Sequence, residues 1–99
     1  MHDLKAFRKN VWYLVGATRG GPMRIRIIYE LMDRPLNANQ LTKKLGVDYK
    51  TVRHHLEVLK KNNWITMGEE KYGSLFFPAF TEEQKQVFEE VFLKIGKKF

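Results

Sequence analysis

Apolar residues recur at helical spacing from the start of the chain. In the first stretch they occupy every third or fourth position, namely Leu4, Phe7, Val11, Leu14 and Val15. This period predicts an amphipathic N-terminal helix within residues 1–17, with Asp3 as its N-cap. The run from Val11 to Val15 is also rich in strand-forming residues, so a strand there is the alternative.

Two further helices follow a glycine–proline break. Gly20, Gly21 and Pro22 form the connector, and Pro22 suits the first turn of a helix that ends before Pro35. The nucleotide-binding glycine spacings are absent from this connector, which leaves only a weak case for phosphate binding there. A third helix is predicted to begin at the N-cap Asn37 and to end at Gly46.

The fourth helix is predicted over residues 48–62. Asp48 is its N-cap, Asn62 and Asn63 close it, and one face carries an apolar stripe: Val52, Leu56 and Leu59. Only the three residues 46–48 separate it from the third helix. So short a turn favours the crossed pair of a helix-turn-helix, in which the second helix enters a DNA major groove.

A hairpin and a last helix complete the predicted fold. Two β-prone runs, Trp64 to Met67 and Ser74 to Phe77, flank a short polar loop. Thr81 and Gln84 form a capping box that starts a helix over residues 81–97. The predicted fold class is mostly α with a small β-hairpin: one winged helix-turn-helix domain over residues 1–99, with its core at 22–78 and additional N- and C-terminal helices.

Charge is distributed unevenly along the chain. The 99 residues carry a net charge of +7, but residues 1–66 hold 13 Lys and Arg against 5 Asp and Glu, whereas residues 67–99 hold 5 against 6. The surplus of +8 therefore lies with the predicted helix-turn-helix. A concentrated positive charge favours a polyanionic partner, because binding to phosphates releases condensed counterions.

Several function classes are disfavoured by composition. The chain has no cysteine, hence no disulfide, thiolate metal site or cysteine nucleophile. We find neither a glycine-rich phosphate loop nor the residue spacing of a metal site or catalytic triad, so we expect no enzyme, cofactor or metal. No apolar run is long enough to span a membrane. We expect a cytoplasmic, nucleoid-associated protein.

The fourth helix carries a family resemblance. Residues Thr51 to Leu59 follow the pattern Thr-Val-x-His-His-Leu-x-x-Leu, preceded by Gly46-Val47-Asp48 and followed by a turn and Trp64-Ile65. With Arg19-Gly20-Gly21 and Asn37 to Leu41, this resembles the winged-helix regulators of the arsenic-repressor (ArsR) type, most closely their short archaeal members. The resemblance covers residues 19–77. It implies a dimeric, sequence-specific binder of double-stranded DNA that uses the hairpin as a wing.

Two departures from the ArsR pattern limit what it implies. Metal-sensing members carry cysteines on the helix that corresponds to the third one here, and this chain has none. Metal sensing is therefore not expected. The predicted wing tip places Glu69 and Glu70 beside a single Lys71, so its contact with phosphate should be weak.

The face of the fourth helix opposite its apolar stripe supplies the predicted DNA contacts. Arg53 is the first candidate for a base contact, since its planar fork can bond guanine O6 and N7. Thr51 is better placed to contact a phosphate than a base. Tyr49 could contact DNA or, alternatively, pack against the third helix. The full predicted set is Tyr49, Lys50, Thr51, Arg53, His54, Lys43, Lys44, Arg24, Arg26 and Lys71. Within it, Arg24 and Arg26 are expected to be exposed and to contact the DNA backbone.

The two terminal helices are predicted to mediate self-association. Their apolar residues exceed what the winged core needs, so we expect a homodimer interface formed by Leu4, Phe7, Val11, Val87, Phe88, Val91, Phe92 and Ile95. The alternative is that the last helix packs back within one subunit.

The two histidines of the fourth helix, His54 and His55, should point in different directions. Consecutive helical positions lie about 100° apart, so one histidine should face DNA, and His55 should face the fold.

Two alternative functions are consistent with the same sequence. An architectural, chromatin-like protein would use the same basic surface with weak sequence preference and a steep salt dependence. A module that binds protein or RNA through the winged helix is the other. Charge reversal at Lys50 and Arg53 distinguishes the protein- or RNA-binding alternative. It would leave binding unchanged for a partner that does not contact the cationic face of the fourth helix.

Overall fold

The computed structural model describes residues 3–68 and 74–96 of the chain. They divide into two compact units. The terminal unit comprises Met1–Ile25 and Phe80–Phe99, and the central unit comprises Arg26–Ala79. Helix α2, Gly21–Asp33, contributes residues to both units.

Helices form the terminal unit. Helix α1 spans Leu4–Val11 and begins at Asp3, whose side chain accepts hydrogen bonds from two backbone N–H groups at 3.0 and 3.1 Å. It continues as a π-helical turn over Trp12–Gly16. The segment from Val11 to Val15 is thus helical, and the alternative of a strand is wrong.

Helix α5 packs against α1 within the terminal unit. It spans Glu82–Gly96 and begins with the predicted capping box, in which Thr81 and Gln84 exchange hydrogen bonds of 3.0 and 3.1 Å. The Phe7 and Phe80 rings meet edge to face at 5.7 Å, and Arg8 forms a 3.0 Å ion pair with Glu90.

This packing corrects the predicted dimer interface. Five of its eight residues are buried within the single chain: Val11, Val87, Phe88, Val91 and Ile95. They form a core because the apolar faces of α1 and α5 cover each other, so they are not free to meet a second copy. Leu4, Phe7 and Phe92 are half-buried. The intramolecular alternative holds for α5.

The central unit contains the crossed helices. Helix α3 spans Ala38–Leu45 and begins with a capping box between Asn37 and Gln40; helix α4 spans Tyr49–Lys61 with Asp48 as its N-cap. Between them Gly46 has φ of 68°, a left-handed conformation that is costly for residues with a Cβ. Asn63 is also left-handed and ends the α4 region, as predicted. The α4 stripe of Val52, Leu56 and Leu59 is buried.

A two-stranded antiparallel hairpin follows α4. Strand β1 is Ile65–Met67 and β2 is Phe76–Pro78, paired so that Thr66 lies opposite Phe77. The second strand starts at Phe76, two residues later than predicted. The Phe76 N–H also donates to the Leu36 carbonyl at 2.8 Å, which anchors β2 to the segment before α3. The fold is a winged helix-turn-helix with additional helices at both ends.

Two statements hold for the described ranges, 3–68 and 74–96. No helix there is long and apolar enough to cross a bilayer. Nor do those ranges bring three His, Cys, Asp or Glu side chains together in an arrangement that could hold a metal ion.

Candidate nucleic-acid interface

The outer face of α4 is polar and cationic. Tyr49, Lys50, Thr51 and His54 are exposed, while the apolar stripe on the other side of the helix is buried. Tyr49 leaves 48% of its surface exposed, so it does not sink into the contact with α3. The helix therefore presents the side chains expected from its sequence.

Arg53 is held by a neighbour on the same helix. Its Nη2 lies 3.4 Å from Oε1 of Glu57, one turn further along, and both side chains remain partly exposed. An exposed pair of this kind contributes little to stability. It nevertheless orients the guanidinium along the outer face of α4 before any ligand arrives.

Asp48 fixes the start of α4. Its carboxylate accepts the Thr51 backbone N–H at 3.0 Å. Hydrogen bonds from the Thr51 side chain and backbone lower the pKa of Asp48 below its ordinary value. Tyr49, Lys50 and Thr51 form the first turn of α4, which the Asp48 carboxylate caps. Protonation of Asp48 would therefore weaken the cap that holds this turn in place.

Acid should weaken this cap. The lowered pKa of Asp48 means that its contribution to stability is complete above the ordinary aspartate pKa of about 3.9 and is lost as pH falls through the lower value. Asp48→Asn keeps a capping oxygen but does not titrate. We expect urea-unfolding midpoints of wild type to fall relative to those of Asp48→Asn between about pH 5 and pH 2. A difference in midpoint that stays constant over this range would contradict a stabilising role of the ionised Asp48 carboxylate.

Three predicted cations outside α4 are exposed in the central unit. Lys43 and Lys44 lie in the last turn of α3, and Lys44 forms a 3.2 Å ion pair with Glu30. Arg26 is exposed on α2, with its Nη2 3.5 Å from the Leu45 carbonyl oxygen. All three side chains can reach solvent, as a contact with the DNA backbone requires.

Arg24 is buried, so the prediction that it is exposed is wrong. Only 7% of its surface remains open, and its Nη1 donates to the Leu14 carbonyl at 3.0 Å and to the Thr18 hydroxyl at 2.8 Å. The Leu14 carbonyl lies in the π-helical turn and also accepts the Thr18 hydroxyl at 3.0 Å. Arg24 therefore ties the turn to the start of α2 within the terminal unit, and it is too buried to contact the DNA backbone.

The paired histidines face in different directions. His54 is exposed, whereas His55 is 7% exposed and packs into the fold, as predicted. Their ring centroids lie 5.4 Å apart at 60°. Only His54 can contribute to a surface contact.

A shallow pocket of about 180 Å³ opens beside Arg53 in the central unit. Besides Tyr49 and Arg53 it is lined by residues that were not predicted as DNA contacts: Asn37, Ala38, Asn39, Met67, Ser74 and Phe76. They come from the start of α3 and from the base of the hairpin. No local pattern signals them, because strand pairing brings them together. Lys71 and the rest of the predicted wing tip lie outside the described residues.

A family model matches the central part of the chain. No curated protein matches the chain. Residues 21–66 match the sequence model of the family described as "Bacterial regulatory protein, arsR family". This segment holds α2, α3, α4 and most of β1, while the narrower resemblance to short archaeal members stays a prediction. Residues 21–66 are thus similar to an arsR-family helix-turn-helix, and this similarity supports a DNA-binding transcription regulator.

Proposed function

We propose that this protein regulates transcription by reading a DNA sequence in the major groove with α4. The supporting observation is the cationic, exposed face of α4 on a segment that matches the arsR family. Helix-turn-helix proteins contact base edges with the first turns of their second helix.

The exposed residues divide by chemistry. Arg53 reads guanine, because a guanidinium can donate to O6 and N7 together. Tyr49, Lys50 and His54 make mixed base and phosphate contacts. Thr51, Lys43, Lys44 and Arg26 hold the DNA backbone and set the register of α4 without selecting sequence. Lys71 is a further backbone contact from the predicted wing.

A selection from random duplex DNA at fixed salt tests this function, with Arg53→Ala beside wild type. We expect one enriched motif in wild type and, in the variant, a loss of about 1–3 kcal/mol of discrimination at one guanine. Arg34→Ala is the matched control, since it removes an equal charge from a side chain that is 66% exposed outside α4. It should leave the motif unchanged.

The architectural alternative gives a different result. Without sequence readout, no motif is enriched, and Arg53→Ala and Arg34→Ala weaken binding to all duplexes alike. Affinity then follows salt concentration with a slope set by the number of phosphates neutralised. Such a result would favour a chromatin-like protein over a regulator.

The proposal includes a homodimer formed by the terminal unit. Among its residues within 3–25 and 80–95, two large apolar side chains are well exposed: Leu93 is 67% exposed and Tyr13 is 61% exposed. Together with the half-buried Leu4, Phe7 and Phe92, they replace the buried residues as candidate interface. A twofold dimer would place two α4 helices about one DNA turn apart and favour an inverted repeat.

Light scattering tests the assembly. We expect wild type at micromolar concentration to have twice the mass of one chain, and Leu93→Lys to shift it toward a monomer without altering helix content. Lys85→Glu, a charge change on another exposed α5 position, is the control. A monomeric wild type at all concentrations would rule out the dimer and leave the DNA-binding proposal standing.

A further inference from the structure

Glu57 is out of place on a surface that only binds phosphate. It is the single acidic residue of α4, in a helix that also carries Lys50, Arg53, Lys60 and Lys61. It is well exposed. A carboxylate near the DNA backbone is repelled, so its presence on the outer face must be explained by something other than charge attraction.

The geometry around Glu57 gives that explanation. Oε1 of Glu57 lies 3.4 Å from Nη2 of Arg53, one turn earlier on the same face. A carboxylate has two oxygens and accepts several hydrogen bonds, so Oε2 can take a further donor while Oε1 faces the guanidinium. In the major groove the donor that suits a carboxylate is the N4 amino group of cytosine.

We propose that Arg53 and Glu57 form one reading unit, in which Arg53 contacts a guanine and Glu57 accepts from a neighbouring cytosine while holding the Arg53 fork. The inference rests on the proposed function and specifies the DNA it takes. Four helical residues rise about 6 Å. That rise spans roughly two base-pair steps of 3.4 Å. The cytosine therefore lies within two base pairs of the guanine.

Glu57 also acts on selectivity. Held by the carboxylate, the guanidinium is less free to turn toward a phosphate, and the negative charge opposes binding where no cytosine amino group compensates it. Removing the charge should thus strengthen binding to unrelated DNA and weaken the preference for the selected site. A residue with no part in readout would change both affinities equally.

The test repeats the DNA selection with Glu57→Gln, followed by affinity measurements on the selected and on a scrambled duplex. Glutamine pairs with adenine in the major groove. We expect the cytosine position to relax or change to adenine while the guanine position weakens without disappearing. The ratio of specific to non-specific affinity should fall about fivefold or more. Glu83→Gln, which removes the same charge from an exposed position at the start of α5, is the control and should keep the ratio.

The outcomes separate the two proposals. A wild-type motif that depends on Arg53 but is identical in Glu57→Gln, with an unchanged affinity ratio, overturns the role of Glu57 and keeps the proposed function. A motif with no cytosine within two base pairs of the Arg53-dependent guanine does the same. If wild type selects no motif, both proposals fall. Thermal unfolding of Glu57→Gln should match wild type, because the side chain is exposed.

Discussion

Phe88→Ala should destabilise the protein by about 3–5 kcal/mol, the usual cost of removing a buried aromatic ring. Phe88 is 1% exposed, and its ring stacks on Phe80 at 5.4 Å and lies 6.2 Å from Phe92. The loss would take a large part of the 5–15 kcal/mol that stabilises a typical small domain. We therefore expect a much lower denaturation midpoint and partial unfolding of the terminal unit.

Urea unfolding followed by circular dichroism measures this effect, with Gln86→Ala as the matched control. Gln86 lies on the same helix but is exposed and outside the proposed interface, so its truncation should stay within about 0.5 kcal/mol of wild type. If Phe88 were instead a contact between subunits, Phe88→Ala would lower the mass of the assembly and leave the monomer stable. Equal stability losses in the two variants would contradict the burial described above.

Gly21→Ala should cost about 3 kcal/mol, the upper end of the usual range for overpacking changes. A Cβ at this position would overlap the carbonyl oxygen of Val15 and lie 2.7 Å from its carbonyl carbon. Both atoms belong to the backbone of the π-helical turn and cannot turn aside as a side chain could. The glycine is therefore required for the close approach of α2 to this turn.

Gly46→Ala provides the comparison, measured by the same urea titration. Its Cβ would meet nothing within 4 Å, so only the left-handed backbone at φ of 68° opposes the change. That cost is about 1–2 kcal/mol. A Gly21→Ala protein as stable as Gly46→Ala would show that the terminal unit relaxes around the new methyl group. A larger loss at Gly21 supports the packing role over any phosphate-binding role of the connector.

Local signals predicted where helices begin and end in both units. The caps at Asp3, Asn37, Asp48 and Thr81 all formed, because a capping side chain bonds backbone groups only two or three residues away. The left-handed residues Gly46 and Asn63 depend on equally local chemistry. The exposed face of α4 then follows from the spacing of its apolar stripe.

Contacts between distant residues were not predictable in this way. Arg24 resembles Arg26 in sequence, yet it is buried, because a π-helical turn ten residues earlier offers it the Leu14 carbonyl. The pocket beside Arg53 escaped prediction for the same reason, since Ser74 and Phe76 reach it through pairing of the hairpin.

The sequence by itself determined the order of helices and hairpin, their caps and the cationic face of α4, because each depends on residues within one or two turns of one another. Only the tertiary structure decided the fate of the apolar face of α5. An amphipathic helix must cover that face, but its own sequence does not say with what. Contact with α1 within the same chain made Val87, Phe88, Val91 and Ile95 a core and left Leu93 on the outside.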